Sequence, residues 1–121
     1  MHKILIVDDS PMIRRSLRSW IEADSALEVC GEAENGKDAI EKADQLHPEI
    51  IILDFQMPVM NGLEAARQIT RRTPSTAIIM FTLHPSQALL QAALQAGARD
   101  VVSKTDRLTE HLSSAIHQVL N

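Results

Sequence analysis

The sequence predicts an α/β fold: a five-stranded parallel sheet with helices on both faces. Three observations carry that expectation. Short apolar runs alternate with amphipathic stretches from one end of the chain to the other. The runs are nearly continuous in apolar character, which marks strands covered on both faces rather than strands with one wet side. Turn signals (Asn35-Gly36, His47-Pro48, Asn61-Gly62 and Thr73-Pro74) stand at the joins. Strict alternation of strand and helix implies parallel strands joined by right-handed crossovers.

The first strand is Ile4–Val7, ending on Asp8 and Asp9. A helix follows, with Pro11 at its first position, Asp9 or Ser10 as its cap, and Ile13, Leu17, Trp20 and Ile21 as one apolar stripe. The second run, Leu27–Cys30, is the least clear, because Glu28 interrupts it. Ala39, Ala43 and Leu46 make a weaker helical stripe, and Ile50–Leu53 is the third strand. Leu63, Ala66 and Ile69 or Thr70 mark a third helix, and Ala77–Phe81 the fourth strand. Ser86 to Ala96 is rich in the helix formers Ala, Leu and Gln, with Gly97 placed as a C-terminal stop and a core face of Leu89, Leu90, Ala93 and Leu94. Val101–Val102 is the fifth strand, and Leu108, Leu112, Ala115, Ile116 and Val119 are the stripe of the last helix.

The 121 residues suit a single domain spanning 1–121. A chain of this size buries about two-thirds of its unfolded surface and needs no disulfide or metal to hold it together. The lone Cys30 reads as a small buried apolar residue in a reducing compartment. Twelve basic against sixteen acidic residues give a net charge of −4, which argues against nucleic-acid binding by this segment. The apolar stretch at the N-terminus is too short for a signal peptide, and no run approaches the roughly 20 residues of a membrane span. The expectation is a cytoplasmic domain with no membrane contact. The histidines (His2, His47, His84, His111 and His117) show no metal-ligand spacing and read as surface residues, and Arg71-Arg72 reads as a cationic helix end.

In parallel α/β sheets ligands bind beyond the carboxyl ends of the strands. The strands here end on Asp8 and Asp9, on Asp54, on Thr82 and on Lys104. If strands one, three, four and five are neighbours, these five side chains gather at one edge. Three carboxylates against one ammonium leave a deficit of about two charges, which matches one divalent cation. An all-oxygen donor set suits a hard ion such as Mg²⁺ and not zinc. One carboxylate could then attack a phosphoryl donor, with Lys104 and the Thr82 hydroxyl stabilising the transferred oxygens. An acyl phosphate formed there adds negative charge and acceptor oxygens, which makes a switch.

The pieces ILIVDDSP, IIILDFQMPVMNG, the Thr of IIMFT and AGARDVVSK, in this order over essentially the whole chain, resemble the receiver domain of two-component response regulators. The resemblance implies a flavodoxin-like fold with strand order 2-1-3-4-5 and a phosphoryl group accepted on Asp54 from a sensor histidine kinase. It implies Mg²⁺ held by Asp8, Asp9, Asp54 and the backbone carbonyl of Gln56, with Asp9 the direct ligand and Asp8 acting through water. Thr82 and Lys104 take the phosphate-sensing positions, and Pro58 and Gly62 shape the loop after the acceptor. Gln56 and His84 hold the positions that tune dephosphorylation. The fourth helix, fifth strand and fifth helix form the partner face, where a homodimer would assemble.

Two departures stand out. Receivers usually carry Tyr or Phe three residues before the lysine, where this chain has Val101, and many follow the lysine with Pro, where this chain has Thr105 and then Asp106. Lys104-Thr105-Asp106 resembles the branch with a C-terminal helix-turn-helix DNA-binding domain, which would make the output transcriptional through a domain absent here. Val101 motivates an alternative, a constitutive interaction module that keeps the fold without the switch. A second alternative is a Mg²⁺-dependent phosphohydrolase. The separation of Asp54 from the first strand's acids, and the lack of a cap segment or a general acid, weigh against it. As a receiver the chain is no enzyme beyond its own phosphorylation and dephosphorylation.

Overall fold

The computed structural model describes residues 1–104 and 108–121. Its elements follow in the order β1 (His2–Val7), α1 (Pro11–Glu22), β2 (Leu27–Ala33), α2 (Gly36–Leu46), β3 (Ile50–Asp54), α3 (Gly62–Arg72), β4 (Ala77–Thr82), α4 (Gln87–Gln95), β5 (Asp100–Ser103) and α5 (Leu108–Leu120). All strands pair in parallel, in the order β2-β1-β3-β4-β5. The predicted fold class is therefore the observed one, a flavodoxin-like three-layer sandwich. Among the described residues no helix is long and apolar enough to cross a membrane.

The continuous apolar runs are explained by two cores, one on each face of the sheet. Leu5, Val7, Ile51, Leu53, Ile78 and Met80 point toward α2, α3 and α4, where they meet Ala39, Ile40, Ala43, Ala65, Ala66, Ile69, Leu89 and Ala93. Their neighbours Ile4, Ile6, Ile50, Ile52, Ile79 and Phe81 point toward α1 and α5, where they meet Leu17, Ile21, Leu112, Ala115 and Ile116. Each fully buried Ile or Leu contributes about 1.5–3 kcal/mol through burial. Sheet pleat sends successive side chains to opposite faces, so both must be apolar when helices cover both.

Caps set the helix starts. Ser10, not Asp9, caps α1, its Oγ accepting the Ile13 N–H at 3.3 Å. Asn35, Asn61 and Ser86 cap α2, α3 and α4 in the same way. Gly97 stands at φ +107° after α4, with Thr70 Oγ1 2.2 Å from where a Cβ would sit, so only glycine fits.

Several boundaries and burials differ from expectation. β2 runs on to Ala33, past Cys30. It is an edge strand with a register shift opposite Ile4 and Leu5, so its burial is partial and polar residues are admitted. Cys30 is half-buried against the α2–α4 core, and burial pushes its thiol pKa up. On α4, Leu89 and Ala93 enter the core, but Leu94 is exposed, because the two pairs at i, i+1 and i+4, i+5 span more of the helix than its core-facing stripe. Ile40 and Ala65 belong to the core although the expected stripes left them out. Thr105, Asp106 and the side chain of Leu108 lie outside the described residues.

Candidate functional site

The strand order places β1, β3, β4 and β5 side by side, so their carboxyl ends form one edge. A cavity of about 310 Å³ opens there, lined by Asp8, Asp9, Ser10, Ile13, Asp54, Gln56, Thr82, Leu83 and Lys104. Of the positions expected to bind the ion, take or sense the phosphoryl group, or tune and switch, Asp8, Asp9, Asp54, Gln56, Thr82 and Lys104 line this cavity; His84 and Val101 do not.

Lys104 is the centre of the charge arrangement. Its Nζ lies 2.8 Å from Asp8 Oδ2 and 2.9 Å from Asp54 Oδ1. It also sits 4.7 Å from the centroid of the Phe81 ring, a cation–π contact in a largely desolvated place. The side chain is 9% exposed, so this is a buried cation rather than a surface lysine. Burial works against its charge, yet the hydrogen bonds and charges of Asp8 and Asp54 outweigh it and hold the ammonium pKa above its ordinary value. Its backbone N–H donates to the Thr82 carbonyl at 2.7 Å, which fixes β5's exit beside β4.

Asp54 closes β3 and is almost fully buried. Burial, reinforced by the neighbouring Asp8 charge, pushes its carboxyl pKa above the usual value, against the pull of Lys104 and the Gln56 N–H. That N–H donates to Asp54 Oδ1 at 3.3 Å. Asp8 is fully buried; its Oδ1 accepts the Ser10 N–H at 2.8 Å. Asp9 is exposed at the mouth. One carboxylate oxygen from each of Asp8, Asp9 and Asp54 falls within 4.8 Å of the others. Three converging carboxylates form a donor set that fits a hard divalent cation such as Mg²⁺. The Thr82 side chain is buried, and its Oγ1 accepts the His84 N–H at 3.2 Å.

Gly62 shapes the floor. A Cβ there would lie 2.5 Å from the Asp54 carbonyl oxygen, so only glycine lets α3 begin this close to β3. Its N–H donates to Phe55 O at 2.8 Å, closing the loop that holds Pro58. Within that loop Val59 adopts φ 73°, an unfavourable conformation for a β-branched residue.

The two remaining predicted positions sit elsewhere. Val101 is half-buried on β5, opposite Met80, and lines a groove with Pro85, His111, Ser114 and Gln118. His84 is exposed, beyond the mouth. Sequence reading missed Phe81 beneath Lys104, whose place one residue before Thr82 was the available signal. It also missed Arg14 and Glu32. Two like charges four residues apart, Arg14 and Arg18, call for an acid nearby, and Glu32 supplies it at 3.0 and 2.7 Å.

Known proteins resemble this chain in sequence and in fold. The family model described as response regulator receiver domain matches residues 4–116. The chemotaxis protein CheY of Listeria monocytogenes is 41% identical over 118 residues, covering 95% of this chain and 98% of that protein. A protein-glutamate methylesterase/protein-glutamine glutaminase of Methanococcoides burtonii is 42% identical over 112 residues; the match covers 91% of this chain but only 32% of that protein. The crystal structure of a two-component response regulator of the LuxR family from Aurantimonas sp. SI85-9A1 superposes with a TM-score of 0.91 at 29% identity, covering 98% of this chain and 84% of that one. A fold, an acidic edge and a family match over nearly the whole length lead to one conclusion: the chain belongs to the response regulator receiver domain family.

Proposed function

We propose that residues 1–121 act as one receiver domain that accepts a phosphoryl group on Asp54 from a sensor histidine kinase. The observation that carries this is the convergence of Asp8, Asp9, Asp54 and Lys104 at one strand edge. Asp9, Asp54 and the Gln56 carbonyl would hold Mg²⁺ directly. Asp8 would act through water, a division supported by its two oxygens already accepting from Ser10 and Lys104. Bound there, the ion supplies positive charge against the phosphoryl oxygens and offsets the repulsion among the carboxylates.

The chain's own groups do the rest. The Asp54 carboxylate attacks phosphorus; the new O–P bond forms as the bond to the donor's histidine nitrogen breaks, and the nitrogen keeps the electron pair. Lys104 exchanges its hydrogen bond to Asp54 for one to a phosphoryl oxygen, while Asp8 continues to hold it. The Thr82 hydroxyl turns to donate to a second phosphoryl oxygen. Gln56 and His84, two residues after Asp54 and Thr82, would tune how fast water later hydrolyses the acyl phosphate.

The output reading is transcriptional, through a helix-turn-helix domain outside this chain. Lys104-Thr105-Asp106 and the similarity to a LuxR-family regulator support it. The surface formed by α4, β5 and α5 is the proposed partner or homodimer face, and the cytoplasm the proposed compartment. Val101 keeps a second reading open, a constitutive binding module, because it stands where receivers usually carry Tyr or Phe.

The test is incubation with Mg²⁺ and acetyl phosphate, followed by intact-mass measurement. A single phosphoryl adduct is expected in the native chain, absent when EDTA replaces Mg²⁺ and absent in Asp54→Asn. No adduct in the native chain, or an equal one in the variant, rejects the reading.

A further inference from the structure

Asp8 is tied at each of its polar atoms. Its N–H donates to the Ala33 carbonyl at 3.0 Å, and its two carboxylate oxygens accept from Ser10 and Lys104. Its carbonyl oxygen accepts from Arg14 Nη1 at 2.6 Å. The last bond differs in what it controls. A peptide unit is planar and moves as one body, so holding the Asp8 carbonyl fixes the plane that joins Asp8 to Asp9. That plane sets where the exposed Asp9 carboxylate starts from.

Arg14 is itself held. Its Nε donates to Glu32 Oε1 at 3.0 Å, while Glu32 Oε2 accepts from Arg18 Nε at 2.7 Å and the Glu32 carbonyl accepts from Lys42 Nζ. The guanidinium thus spans β2 and the loop after β1 with its rigid fork, which a flexible ammonium cannot do at both ends. Its charge would otherwise oppose a cation at the acidic edge. Glu32, shared with Arg18, offsets part of that charge and holds Arg14 as a directed donor.

We infer that Arg14, braced by Glu32, is a positioning residue for the divalent-cation site: through the Asp8 carbonyl it orients the Asp8–Asp9 peptide and sets the affinity for Mg²⁺. This rests on the reading of Asp8, Asp9 and Asp54 as a cation site. Outer partners of metal ligands are commonly worth one to two orders of magnitude in affinity. Arg18 supplies the internal control. It grips the same Glu32 and ties the same helix to the same strand, but its bond stops short of Asp8.

The experiment titrates Mg²⁺ alone into the whole chain and follows backbone amide shifts by NMR, with urea unfolding in EDTA as the separate record of stability. Arg14→Gln should weaken Mg²⁺ binding about tenfold. Glu32→Gln should also weaken it, and the double variant should bind no more weakly than the weaker single one, because both act through one bond. Arg18→Gln should stay within about twofold of the native affinity even where its stability falls as far as that of Arg14→Gln. Should Arg14→Gln not fold, Arg14→Lys replaces it, with an expected loss of about threefold because an ammonium can hold only one of the two partners. Native affinity in the Arg14 variant overturns the inference. So does an Arg18 loss as large as that of Arg14, or multiplying losses in the double variant. No Mg²⁺-dependent shift in the native chain overturns the cation site itself, a different failure.

Discussion

Asp54 is a carboxylate placed where its charge is least welcome. It is almost fully buried, and Asp8, whose charge acts on it, is 0% exposed. The pKa raised by burial has a definite consequence for stability. Below the ordinary value of 3.8 the group is protonated folded or unfolded, and it contributes nothing to pH dependence. As pH rises from there through the raised folded value, the native state keeps a proton that the unfolded chain has released, so stability falls. Asp54→Asn removes that loss. Lys104 stays paired with Asp8. We expect Asp54→Asn to be more stable than the native chain by about 0.5–2 kcal/mol at pH 7 in EDTA, with the gap closing toward pH 3. Urea unfolding at both pH values checks it; an Asn variant less stable at pH 7 would contradict it. The trade is of a familiar kind, in which a reactive group is kept at the expense of the resting fold.

The sequence-legible part of the molecule is clearest at the scale of the elements, as is the reason for the rest. Strands β1, β3 and β4 were plain because both faces are covered and each carries an unbroken apolar run (Ile4–Val7, Ile50–Leu53 and Ala77–Phe81). β2 was legible only in its first half, because an edge strand buries less and tolerates Gly31 and Glu32. The site residues that end strands were readable because topology forces them together. Arg14, Glu32 and Phe81 were not, since each looks ordinary in its own segment and gains meaning only from a neighbour far along the chain. Gly62 belongs to this scale as well. α3 starts against the Asp54 carbonyl, with no room for a methyl group. Gly62→Ala should cost about 1–3 kcal/mol by overpacking and displace the loop after Asp54. Urea midpoints measure the first effect, and altered amide shifts at Asp54 and Gln56 the second. A neutral substitution would show that α3 has slack at its first turn.

At the scale of the whole molecule, two cores clamp a sheet whose acidic edge buries Asp8 and Asp54 and leaves Asp9 open to solvent. The proposed ligands come from the end of β1 and the end of β3, so a cation there would tie together segments that unfolding would separate. Binding that favours only the folded state stabilises by mass action, and a concentration ten times the dissociation constant gives about 1.4 kcal/mol. Mg²⁺ should therefore raise the melting temperature by a few degrees, reversibly with EDTA, and the effect should vanish in Asp9→Asn. An equal rise in that variant would place the ion elsewhere. Fragmentation of the chain after Mg²⁺-dependent phosphorylation by acetyl phosphate decides which of the three neighbouring aspartates is the acceptor. One phosphoryl group is expected, on the peptide containing Asp54. A phosphoryl group on Asp8 or Asp9, or none on any aspartate, would contradict it.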